Sequence, residues 1–151
     1  VEALNDRLVV ISEHVSTYEA NLSAGERVLI PAHSQGNLFT NDAIIIVREN
    51  LVDRADSIDY SGVASPASFT AGYAQYVTAD DDRIIDLLRL IRDVDVLPSN
   101  LDNNPSIFND DDRSLTNHYI SRDYFDPALA SRDIIDENML RLASFTPYPT
   151  Q

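Results

Sequence analysis

Twelve residues, Arg27 to Leu38 (RVLIPAHSQGNL), constrain this chain more than any other stretch. Arg27 to Ala32 is a short apolar run of residues that favour extended backbone. His33-Ser34-Gln35-Gly36 makes a tight turn with a glycine at its exit, and a helix is expected from Asn37 onward. Strand, sharp turn bearing a serine, then helix is the context of a G-x-S-x-G elbow. Such a turn strains the serine backbone and pushes the hydroxyl out of the sheet. Small residues two before and two after the serine let strand and helix approach closely. Here they are Ala32 and Gly36, so the motif reads A-H-S-Q-G. Pro31 cannot donate to a strand ladder, so it is expected near the end of its strand.

The flanking segments fit alternating helices and strands. Ala3 to Leu22 carries Leu4, Leu8, Ile11, Val15, Tyr18 and Leu22 at three- and four-residue steps, one face of a helix that Gly25 ends. Asn37 to Val52 is too long for a strand and does not alternate, so it reads as a helix buried on several sides despite its Ile44 to Val47 run. Ser57 to Ala64 and Ala71 to Thr78 read as two further strands. The link between them is short for a parallel crossover, so one helical turn at Pro66 to Phe69 is all the helix it can hold. Arg83 to Ile91 is a short helix, Asp93 to Leu115 a long loop, and Tyr119 to Tyr124 and Ser131 to Ala143 are two more helices. The fold class that follows is α/β, a mostly parallel sheet of about three strands flanked by helices.

Composition narrows the function classes. At 151 residues and 44% hydrophobic, the chain is a single domain with a real core. There is no cysteine, which excludes thiol catalysis, disulfides and thiolate-ligated metal. All eleven cationic residues are arginine, against 25 acids, for a net charge of −14. That charge repels nucleic acid phosphates and anionic lipid. No apolar run reaches membrane-spanning length, and no signal peptide opens the chain, so the sequence indicates no compartment. No histidine pair has metal-ligand spacing, and no glycine-rich loop would hold a phosphate-bearing cofactor. The acids of Asn109 to Asp112 are numerous enough for calcium but lack the spacing of a calcium loop.

AHSQGNLF, followed by SGVASPA, YVTADDDRII and NHYI, resembles bacterial α/β-hydrolases of the lipase and esterase type, over roughly Ala3 to Tyr124. The order nucleophile, acid, histidine matches that fold. The resemblance implies a partial α/β-hydrolase core that cleaves a carboxylic ester through an acyl-enzyme on Ser34. His118, the only histidine after the elbow, is the expected base. Asp82 heads an Asp-x-Ile segment and is the expected acid, with Asp80 and Asp81 as alternatives if the register slips. Asp82 or Asp81 would equally serve as a plain helix cap. The Gln35 backbone N–H is the expected oxyanion donor, and His33 is expected to pack or hydrogen-bond beside the elbow. The strands and oxyanion loop that precede the elbow in that family have no counterpart in this sequence. It therefore reads as the C-terminal part of a longer hydrolase fold, and a non-catalytic fragment or interaction domain is the alternative. Expected partners are a small-molecule or lipid ester, plus self-association through an open edge of the strand at Arg27 to Ala32. The geometric expectation is that Ser34, His118 and one of Asp80 to Asp82 converge.

Overall fold

The computed structural model describes residues 2–72, 74–91, 95–102, 117–127 and 129–149. Its elements run α1 (Glu2–Ser23), β1 (Val28–His33), α2 (Gly36–Asn50), a 3-10 turn (Val52–Ser57), β2 (Ile58–Val63), β3 (Gln75–Val77), α3 (Arg83–Ile91), a π-helical turn (Ile120–Tyr124) and α4 (Ala130–Phe145). The fold is α/β. The sheet is parallel throughout in the order β1-β2-β3, with Val28 opposite Ile58 and Ser61 opposite Gln75. Among the described residues no helix is long and apolar enough to cross a membrane.

Sheet alternation sorts the core into two parts. Ile58 and Tyr60 face α1 and α2, packing with Leu22, Ala43, Ile44 and Val47. Val63 faces the other way, with Val77 of β3, into Ile85, Tyr124 and Ile135 on α3, the π turn and α4. Every residue of β2 is buried, as a central strand covered on both faces must be. α1 closes at Gly25, whose φ of +88° turns the chain and lets Glu26 N–H reach Asn21 O.

β1 ends the sheet on one side among the described residues. Pro31 falls in its middle rather than at its end, paired across from Ser61. The Ser34 N–H points at Val63 O on β2. Counting back in twos, the Ala32 and Ile30 amides point the same way and position 31 points outward. The proline therefore removes no donor from the β1–β2 ladder.

The link from β2 to β3 differs from expectation. No helical turn forms at Pro66 to Phe69, and β3 is three residues long rather than eight. Side chains satisfy the backbone instead. Asn41, buried in α2, donates to Phe69 O at 2.9 Å and accepts from Ala71 N–H at 2.8 Å and the Tyr60 hydroxyl at 2.6 Å. Thr78 Oγ1 accepts from Ser65 N–H. With its polar groups met this way, the link needs no helix to cross between parallel strands. α2 is also less enclosed than its apolar run suggests, since Ile45 and Ile46 reach solvent. The acid cluster at Asn109 to Asp112 lies outside the described residues.

Candidate active site

The serine turn has the geometry that its sequence implies. Ser34 has φ +51°, a left-handed conformation that costs a non-glycine residue of order 1–3 kcal/mol. The surroundings hold it there. Ser34 N–H donates to Val63 O at 3.0 Å, and Asn37 N–H returns to Ser34 O at 3.0 Å. The Asn37 side chain, fully buried, donates to Ser34 O at 2.9 Å and Val63 O at 3.0 Å. One amide thus clamps the turn to the end of β2. Close approach occurs at Gly62, where an added Cβ would lie 2.6 Å from Asn37 Oδ1. It does not occur at Gly36, where an added Cβ would meet nothing within 4 Å. The expectation that Gly36 is small for packing is corrected: the elbow's tight contact runs through Asn37 and Gly62. Ala32, two residues before the serine, is buried in the core.

Two other turns bring their side chains to this point. His118 Nε2 lies 2.7 Å from Ser34 Oγ. Its Nδ1 lies 3.0 Å and 2.9 Å from Asp82 Oδ1 and Oδ2. A carboxylate only accepts, so Nδ1 carries the proton and Nε2 is left to accept the serine hydroxyl. Asp82 is completely buried and the His118 side chain is 16% exposed. Ser34, His118 and Asp82 therefore form one hydrogen-bonded line. Asp81 does not join it; its carboxylate accepts from Asn117 Nδ2 at 3.2 Å. Asp80 is exposed.

Asp82 also caps α3, its Oδ1 accepting from the Ile84 and Ile85 amides at 3.1 Å each. The capping role and the triad position coexist in one carboxylate. The turn that carries it is braced by residues 99–101. Asp80 N–H donates to Leu101 O, Asn100 Oδ1 accepts from Thr78 N–H, and Ser99 Oγ donates to Ala79 O. This part of the long loop thus lies beside β3.

His33 supports the histidine from below. Its Nε2 donates to the His118 carbonyl at 2.9 Å, which fixes its own tautomer, and the two rings lie 5.0 Å apart. Burial, followed by the neighbouring His118, pushes the His33 pKa below the ordinary imidazole value. Asn117, just before His118, has φ +51°, a conformation that asparagine tolerates better than most residues.

The chemistry gathers at the C-terminal ends of the parallel strands, where α/β sheets place their sites. α2 begins at Gly36, so the Gln35 amide stands at its N-terminus beside Ser34. Asn37 N–H and Leu38 N–H turn back onto Ser34 O and Gln35 O. The Gln35 amide has no such use among the described residues. A separate groove of about 480 Å³ opens toward the other end of the sheet, lined by Arg48, Asp59, Gln75, Arg141 and Phe145. It includes no member of the serine-histidine-aspartate line. Among the described residues no group of acids and histidines is arranged to hold a metal ion.

No family model, curated protein or solved structure matches this chain. The reading of the site therefore rests on its own geometry.

Proposed function

We propose that this chain is a serine hydrolase that cleaves a carboxylic ester, on an α/β-hydrolase-like core. The observation that carries the reading is the continuous line Ser34 Oγ, His118 Nε2, His118 Nδ1, Asp82, with contacts of 2.7 Å and 2.9 Å. Free serine is a weak nucleophile at neutral pH and needs a base in contact. In the proposed reaction His118 takes the Ser34 proton as Oγ attacks the ester carbonyl. The negative oxygen that forms accepts from the Gln35 N–H. The tetrahedral intermediate collapses as His118 gives its proton to the leaving alcohol. A water molecule, deprotonated by the same nitrogen, then attacks the acyl-serine and releases the acid. Asp82 holds the imidazole in the required tautomer throughout.

A fluorophosphonate probe is the direct test. It phosphonylates a serine whose oxygen is activated by a base, and mass spectrometry of the digest identifies the labelled residue. The expected adduct is on Ser34, absent from Ser34→Ala. Labelling of another serine, or none at all, would count against the reading and in favour of a non-catalytic role.

The outer edge of β1 belongs to the same proposal as a site of self-association. Its outward backbone groups have no strand partner among the described residues, and such an edge templates another strand. Sedimentation at increasing protein concentration is expected to show a dimer. A mass that stays monomeric over the whole range would remove this part of the proposal.

A further inference from the structure

We infer that Tyr124 is a positioning residue that sets the basicity of His118 by donating a hydrogen bond to Asp82; its catalytic consequence rests on the esterase reading. The hydroxyl lies between two groups whose roles are fixed. Ala79 N–H can only donate, and it approaches the Tyr124 oxygen at 3.2 Å. Asp82 Oδ2, as a carboxylate oxygen, only accepts, and it lies 2.8 Å away. The Tyr124 proton therefore points at Asp82.

His118 Nδ1 faces both carboxylate oxygens, Oδ1 at 3.0 Å and Oδ2 at 2.9 Å. The tyrosine shares Oδ2 with the histidine, and the Ile84 and Ile85 amides share Oδ1 with it. Each donor that shares the carboxylate leaves less negative charge facing the imidazole. The Tyr124 proton is one of the donors that share the carboxylate with the imidazole in this way. Without the tyrosine proton the charge on Oδ2 would concentrate toward His118 and hold its proton more firmly.

Tyr124 is built to make this contact permanently. The residue is fully buried among Val63, Val77, Ala79, Ile85 and Ile135. Its carbonyl accepts from Ser131 Oγ at 2.8 Å, which anchors the π turn to α4. Burial, followed by the Asp82 charge, raises the pKa of its hydroxyl far above the ordinary phenol value, so the group stays a donor wherever an esterase works. The other titratable groups facing the pair are His33 from β1 and Asp81 from the acid turn. Among the described residues, the side chains that hydrogen-bond the Asp82 carboxylate are those of His118 and Tyr124.

The test follows the His118 ring by NMR in the whole chain, its signals identified by their loss in His118→Gln. Tyr124→Phe keeps the ring and removes the proton. Its His118 midpoint is expected to rise by roughly half a pH unit or more. Tyr60→Phe is the control: it deletes another buried hydroxyl, on Asn41, and is expected to lower stability while leaving the midpoint in place. Should Tyr124→Phe fail to fold, 3-fluorotyrosine at position 124 tests the same contact with a stronger donor, and the midpoint is expected to fall. A midpoint unmoved by either change overturns the proposal. Ester turnover supplies the second readout, with the acid limb of kcat/KM moving up in pH by the same amount in Tyr124→Phe, so that a half-unit shift lowers kcat/KM on that limb by about threefold. A shifted midpoint in a chain that never hydrolyses ester would leave the Tyr124 assignment standing and count against the esterase reading instead.

Discussion

Ser34→Ala is expected to reduce turnover of a short-chain nitrophenyl ester by about 10⁴- to 10⁶-fold, the range seen when one member of a hydrolytic triad is removed. The size of the loss follows from the geometry. The substitution deletes the oxygen 2.7 Å from His118 Nε2 and leaves the base with nothing to deprotonate but water. The fold should barely notice, because the Ser34 backbone is held through its N–H and C=O and not through its hydroxyl. Ser34→Gly sharpens the point. Glycine accepts φ +51° without steric cost, so this variant is expected to be as inactive as Ser34→Ala and to melt no lower than the parent. Initial-rate kinetics with thermal melts check both halves. Turnover retained within a few-fold in either variant would place the activity elsewhere.

Asp82→Asn carries the second large expectation, a loss of about 10⁴-fold in kcat. Asparagine can keep its oxygen on the Ile84 and Ile85 amides, so the α3 cap survives. The other carboxylate oxygen is replaced by an NH₂ group, which faces the Tyr124 hydroxyl and His118 Nδ1. Two donors then meet at 2.9 Å, and the retained oxygen, 3.0 Å from Nδ1, is already shared by two amides. The imidazole escapes the clash by moving its proton to Nε2, the tautomer that cannot accept from Ser34. Asp82→Ala should be equally inactive and less stable, since it also loses the cap, worth about 1 kcal/mol. Asp81→Asn and Asp80→Asn, outside the line, should each stay within about tenfold of the parent. Steady-state kinetics on the four variants, with urea melts, separate the catalytic part of the carboxylate from its capping part. A larger loss in Asp81→Asn than in Asp82→Asn would show that the acid has been misassigned by one residue.

The sequence was most legible where the physics is local. A strand-forming run, a glycine-ended turn and a long non-alternating segment are enough to place β1, the serine turn and α2. The Asp82 segment was readable for the same reason, because a carboxylate ahead of an apolar helix start is a capping pattern whatever else it does. What escaped depends on side chains reaching far along the chain. Asn41 replaces a helical turn with three hydrogen bonds to residues 19 to 30 positions away. Propensity cannot anticipate that, so the β2–β3 link was expected in the wrong form. Tyr124 meets Asp82 across 42 residues, and a lone tyrosine six positions after a histidine carries no local signal. Gly36 shows the opposite error. A motif assigned it a packing reason, whereas the tight contact belongs to Asn37 and Gly62. An asparagine three residues after the serine was the available clue, since a buried amide at a helix start has to find carbonyls to serve.

The line from Ser34 through His118 to Asp82 spans chain separations of 84 and 36 residues. Closing loops of that size costs entropy that no contact within the line repays by itself. The three side chains come from the end of β1, the turn before α3 and the turn before the π helix, so the line exists only in the tertiary structure. On the proposed hydrolase reading, Ser34 is activated only by that tertiary assembly, since no neighbour in its own turn supplies a base. A refolding chain is then expected to regain fluorophosphonate labelling at Ser34 no earlier than its native tertiary structure.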